Sequence, residues 1–289
     1  MNVRIAPNRI KRMISIVVIA AVIVALIWAA SVVVVRMTQY AAGATVGQAS
    51  DVQEEVLEDD GFIPGLPRNT YHGNAFFEVD GYVGYTGKER IASGIDVSFH
   101  QGDIDWQKVK AAGVDFAMIR VGNRGYTKGV VDLDPYFARN MDGALAAGLD
   151  VGVYFFSQAI SAEEAVEEAE FVLEQIAEYE LTYPVVFDWE DIEAEARTDG
   201  MDSITLTACA KAFCETIAAE GYEAGVYFNQ RFGYQEMDLT QLLDYTFWLA
   251  EYNVPPTFLY HFDMWQYSCT GKIDGIDTVV DLNLRFFEE

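Results

Sequence analysis

From Ala92 onward, short apolar runs alternate with amphipathic stretches of helical period, and no other feature of the chain constrains its fold as tightly. A strand, a helix and a further strand in repeated order call for parallel strands with helices packed outside. The expected strands are 94–97, 116–121, 151–156, 183–189, 224–228, 247–250, 264–267 and 279–282. Helices are expected over 106–112, 134–147, 161–179 and 203–220. Asp134-Pro135 offers an N-cap and a first-turn proline, Ser161-Ala162-Glu163-Glu164 has capping-box spacing, and Gly113, Gly148 and Gly221 stop helices. The late strands lack full helices between them. The pattern therefore predicts an α/β fold: an irregular TIM-like barrel with eight strands and fewer helices. Chemistry in such barrels collects at the carboxyl ends of the strands.

Upstream of the barrel, Met13 to Val35 is an unbroken apolar run. As a helix it would be about 34 Å long, enough to cross a bilayer core. Arg4, Arg9, Lys11 and Arg12 precede it, so the positive-inside bias predicts a cytoplasmic basic tail over 1–12 and a transmembrane helix over 13–35. A cleaved signal peptide is the competing reading, but the run exceeds a signal h-region of roughly 7–15 residues. An extracytoplasmic tether over 36–70 and a hairpin extension over 71–90, turning at Asp80-Gly81, then lead to the barrel over 91–289. The expected location is the plasma membrane, single-pass, with the barrel outside the cytoplasm.

Charge narrows the partners. The first 36 residues hold five bases and no acid, leaving 14 bases against 45 acids in the remainder. Such a surface repels phosphate backbones and excludes nucleic acid as a partner. Cys209, Cys214 and Cys269 have no disulfide spacing and read as buried, reduced thiols. His72, His100 and His261 are scattered, so neither a metal site nor a cofactor is expected. A monomer is expected.

The acids on the strands carry the chemistry. Asp188 and Glu190 close the run Tyr183-Pro184-Val185-Val186-Phe187, and alternation points both toward the same face with Trp189 opposite. Two acids on one buried face disfavour double ionisation, so one holds its proton to higher pH. Asp96 ends the first strand and Asp281 lies in the last; first and last strands of a closed barrel are neighbours. Tyr154, Tyr227, Asn229, Trp248, Trp265 and Gln266 occupy comparable strand positions. Flat rings suit the C–H faces of sugars, while carboxylates and amides suit their hydroxyls. Acid-assisted glycoside cleavage needs such a carboxyl pair.

The ordered set Gly94-Ile95-Asp96-Val97-Ser98, Phe116-Ala117-Met118-Ile119-Arg120, Gly152-Val153-Tyr154-Phe155-Phe156-Ser157, Asp188-Trp189-Glu190, Trp265-Gln266-Tyr267 and Val280-Asp281-Leu282-Asn283 resembles the glycoside hydrolase family 25 lysozymes, the Chalaropsis-type N-acetylmuramidases. One departure is Phe155, where many members carry His. The resemblance implies peptidoglycan glycan strands as substrate, cut at the β-1,4 bond between N-acetylmuramic acid and N-acetylglucosamine. It assigns Glu190 as general acid, Asp188 as the residue orienting the acetamido group, and Asp96 and Asp281 as flanking catalytic carboxyls. Tyr154 would hydrogen-bond the acetamide. Direct carboxylate attack, activation of water and neighbouring-group participation all stay open on the sequence. Two further readings compete: a wall-binding module without turnover, and a glycosidase of another N-acetylated glycan such as chitin.

Overall fold

The computed structural model describes residues 62–287. Period-two alternation along the strands sorts the apolar side chains into two separate cores. Outward residues such as Ile95, Ile119, Val153, Phe187 and Val226 pack with residues of the surrounding helices and loops. Inward ones, including Phe116, Met118, Val186, Tyr227, Trp248 and Met264, fill the barrel itself.

The wall is built from β3 (Arg90–Val97), β4 (Phe116–Arg124), β6 (Asp150–Ser157), β7 (Val185–Trp189), β8 (Ala224–Asn229), β9 (Thr246–Ala250), β10 (Met264–Gly271) and β11 (Val280–Phe287). Their order is β3-β11-β10-β9-β8-β7-β6-β4, and pairing of β3 with β4 closes the ring. β5 (Val131–Leu133) folds back antiparallel on the end of β4 outside it. Helices α1 (Trp106–Ala111), α2 (Phe137–Ala146), α3 (Ala162–Ile176) and α4 (Ser203–Ala219) follow the first strands only. Among the described residues the later strands are joined by loops, a π-turn over Phe232–Glu236 and a short 3-10 turn over Leu239–Gln241.

Interior positions mix large with absent side chains, so the layers interlock. A Cβ on Gly94 would stand 2.2 Å from the Phe116 ring, and one on Gly152 would stand 2.7 Å from the Met118 sulfur. The ring of Phe116 in turn stacks on Tyr183 with centroids 4.4 Å apart. This plug fills the lower barrel, and the space above it opens at the upper mouth.

Ahead of the barrel the chain forms a short hairpin. β1 (Phe76–Val79) and β2 (Tyr82–Tyr85) pair antiparallel. Asp80 and Gly81, at φ 54° and 84°, make the tight turn between them.

The expected fold class needs correction on two counts. First, the strands are not all parallel: β11 runs antiparallel to both β10 and β3. Eight residues connect β10 to β11, too few for the crossover a parallel return requires. Second, no helix among the described residues is long and apolar enough to cross a membrane. The transmembrane helix expected over 13–35, with the basic tail and most of the tether, lies outside the described residues.

Smaller departures have local causes. Asp134 does not cap α2; its carboxylate accepts from the Tyr136 N–H, the Phe99 N–H and Arg120 instead, and the helix starts two residues later. Ser161 does cap α3, accepting from the Glu164 N–H. Cys209 and Cys214 are buried as expected, whereas Cys269 is exposed.

Candidate active site

The upper mouth of the barrel opens into a cleft of about 520 Å³ whose floor and walls carry Asp96, Arg120, Tyr154, Asp188, Tyr227, Trp248, Gln266 and Asp281, with Glu190 at the rim of β7. Alternation explains the membership. On β4 the inward series is Phe116, Met118, Arg120; on β7 it is Val186, Asp188, Glu190.

Asp96 is the best-held carboxyl. Its Oδ2 accepts from the Gln266 amide at 2.9 Å and from the Asn283 amide at 2.8 Å. Asn283 is fixed by the Trp248 indole, which donates to its Oδ1 at 2.8 Å. Gln266 is fixed by the hydroxyls of Tyr227 and Tyr252, each donating to its Oε1 at 3.0 Å. Every polar atom in this chain of contacts orients the next, and both amides are forced to present N–H to Asp96. β11 pairs Asp281 directly with Asp96. Burial, then the Asp96 charge and a hydrogen bond shared with it, push the Asp281 carboxyl up to about 8. Burial also raises Asp96, but its two amide donors oppose the rise, so within the pair the proton belongs on Asp281.

Asp188 and Glu190 form the second pair. Asp188 is buried, and its Oδ1 has no hydrogen-bond partner. Desolvation, then the charges of Glu190 and Asp96, push its carboxyl well above the usual range, with Arg120 pulling the other way. Glu190 is raised by burial and by Asp96 and Asp191, and a hydrogen bond with Tyr227 opposes this. Its main chain is tied down separately: the buried Gln158 amide donates to the Glu190 carbonyl at 2.8 Å.

Positive charge is scarce here. Among the described residues Arg120 is the one Lys or Arg lining the cleft, and its guanidinium is committed to buried Asp134, with Nε and Nη2 both 2.9 Å from Oδ2. Burial and Arg120 keep His100 below its ordinary value, hence neutral. Four carboxyls therefore face one another with no free counter-charge among the described residues, and they cannot all ionise at neutral pH. Tyr154 and Tyr227 are both pushed well up by burial and stay neutral phenols. Among the described residues, no group of His, Cys, Asp and Glu could hold a metal ion.

Eight of the ten residues singled out in the sequence meet at this cleft: Asp96, Tyr154, Asp188, Glu190, Tyr227, Trp248, Gln266 and Asp281. The other two do not line it. Trp265 points outward into the shell core, and its indole donates to the Glu251 carbonyl at 2.7 Å. Asn229 turns its Oδ1 to the Phe232 N–H at the π-turn. Sequence reasoning missed Arg120, Asn283 and Tyr252 as site residues. The first two were visible as inward positions on their strands. Tyr252 comes from the loop after β9, where periodicity is silent.

Comparison with known proteins agrees with this geometry. Residues 95–276 match the profile of glycosyl hydrolases family 25. The chain is 28% identical over 191 residues to an autolytic lysozyme of Clostridium acetobutylicum, a match covering 66% of this chain and 54% of that protein. It is also 28% identical over 203 residues to lysozyme M1 of Streptomyces globisporus, covering 66% of each. The match thus spans between half and two thirds of these relatives. Among solved structures, the modular autolysin LytC of Streptococcus pneumoniae superposes with a TM-score of 0.60 at 25% identity, covering 74% of this chain and 52% of that one; it was solved with a synthetic peptidoglycan ligand. A bacterial lysozyme from Streptomyces coelicolor gives 0.56 at 26% identity, covering 68% and 93%. With its barrel, its carboxyl-lined mouth and a profile match over more than half its length, the chain belongs to glycosyl hydrolases family 25.

Proposed function

We propose that this chain is a lysozyme-type peptidoglycan hydrolase that cleaves the β-1,4 bond between N-acetylmuramic acid and N-acetylglucosamine. The observation that carries the reading is the carboxyl of Glu190, raised by burial and by neighbouring acids at the rim of a cleft walled by aromatic rings. Glu190 serves as general acid and passes its proton to the departing glycosidic oxygen.

Asp188 supports that role through its unpartnered Oδ1. An acetamido N–H of the substrate supplies the missing donor. Hydrogen bonding then favours the ionised form of Asp188, and its charge holds the proton on Glu190. Tyr154, a neutral phenol on the adjacent strand β6, donates to the acetamido oxygen. Asp96, immobilised by two amides, and Asp281 flank the reacting sugar. All these residues come from one chain, so a monomer suffices, acting outside the cytoplasm where the wall lies.

The test is mass spectrometry of fragments released from purified wall. N-acetylmuramic acid at the new reducing ends is expected; N-acetylglucosamine there would overturn the bond assignment. Glu190→Gln, which keeps size and loses the transferable proton, should lower kcat by about 10²–10⁴-fold. Turnover by that variant at the wild-type rate would remove Glu190 from the reaction.

A further inference from the structure

A second cavity, of about 620 Å³, lies beside the cleft and shares one wall residue with it, Tyr252. Its other side is the β1–β2 hairpin, which precedes the family-matched segment, and its floor is the irregular end of β10. The hairpin is fixed in place. Val83 and Tyr85 are buried, the Tyr85 ring packs on Phe76 and Phe286 at 4.6 and 5.6 Å, and the Tyr82 hydroxyl donates to the Lys272 carbonyl at 2.6 Å. Two large rings nevertheless remain open to solvent, Tyr82 at 43% and Tyr252 at 54% of their surface.

We propose that the hairpin extends the catalytic cleft into a second saccharide-binding region, which holds sugar rings of the glycan strand beyond the point of cleavage. This rests on the proposed function and adds where the polymer runs. Open tyrosine rings offer flat faces to sugar C–H groups, and the hydroxyls of Ser268 and Thr270 together with Glu78 accept from sugar hydroxyls. Glu78 and Asp80 outweigh Lys272 in this lining, which disfavours carboxylate-bearing peptide stems and favours the neutral N-acetylglucosamine units as occupants. Tyr252 joins the two regions physically: its ring lines both, while its hydroxyl bonds the Gln266 amide that holds Asp96.

The test compares kcat/KM on long, peptide-stripped glycan strands with kcat/KM on a tetrasaccharide. Tyr82→Ala should lower the long-to-short ratio about tenfold, equivalent to losing one contact of ~1.4 kcal/mol. Tyr82→Phe, which keeps the ring, should hold the ratio within about twofold. An unchanged ratio in Tyr82→Ala, or a loss seen only on cross-linked wall, overturns the saccharide assignment. Hydrogen exchange on the Glu190→Gln protein gives a readout independent of turnover. Long strands, but not the tetrasaccharide, should slow exchange around Gly81–Val83, and equal exchange with both would refute the extension. Wild-type protein inert on every glycan would instead sink the hydrolase reading, leaving the exchange result to judge this cavity separately.

Discussion

At the scale of single residues, the cleft depends on side chains that never touch the reacting bond. Gln158 is fully buried, donates to the carbonyls of Ser157 and Glu190, and accepts from the Thr198 hydroxyl at 2.9 Å. It ties the end of β6 to the acid and to the loop that follows. Replacing it by Leu, similar in size, leaves the Glu190 carbonyl and the Thr198 hydroxyl unpartnered. We expect kcat to fall about tenfold with KM within about twofold, because sugar contacts stay while proton delivery is misplaced. Steady-state kinetics with defined oligosaccharides make the check; a KM rise with unchanged kcat would contradict this positioning role. Asp188 and Glu190 were legible in the sequence because strand alternation fixes their common face. Gln158 was not. It lies just past the end of β6, and the Glu190 carbonyl and Thr198 hydroxyl it holds are 32 and 40 residues away in sequence, which no local pattern records.

At the scale of elements, direction and packing decide what reaches the mouth. β11 places Asp281 and Asn283 inward and Leu282 and Leu284 outward, and its antiparallel run sets Asp281 opposite Asp96. The alternation was readable, as was the adjacency of first and last strands. The direction was misjudged because regular strand–helix repetition earlier in the chain was extended to a connection of only eight residues. Glycine positions inside the barrel were equally silent, since their need arises from a neighbour on another strand. Gly94 shows the consequence. Gly94→Ala would push a methyl carbon to 2.2 Å from Phe116, whose ring is already stacked on Tyr183. Overpacking of this kind costs about 1–3 kcal/mol. Chemical denaturation should show that loss as a lower midpoint with an unchanged slope. A Gly94→Ala protein as stable as the wild type would mean that the ring stack yields without cost.

At the scale of the whole molecule, the buried carboxyls make stability depend on pH in one direction. Asp281 is raised to about 8 and Glu168, buried beside Arg124, to about 7. Asp96, Asp188 and Glu190 are raised as well. A carboxyl with a raised folded-state pKa binds its proton more tightly when folded, so its contribution is complete below the unfolded value near pH 4 and is lost as pH rises through the folded value. The protein should therefore melt higher at pH 5 than at pH 8, by ~5 °C or more. Its net charge of −26 works in the same direction through self-repulsion, and salt separates the two causes. Surface repulsion is largely screened at high ionic strength, whereas interactions among buried groups are screened much less. Most of the pH slope should thus survive in concentrated sodium chloride. Asp281→Asn should flatten it, giving a protein more stable than wild type at pH 8 and less active, because the proton shared across β3 and β11 no longer has to be surrendered. Calorimetric scans of both proteins at pH 5 and 8, with and without salt, test this. A slope that salt abolishes, or that Asp281→Asn leaves intact, would move the origin of the pH dependence from the cleft to the surface.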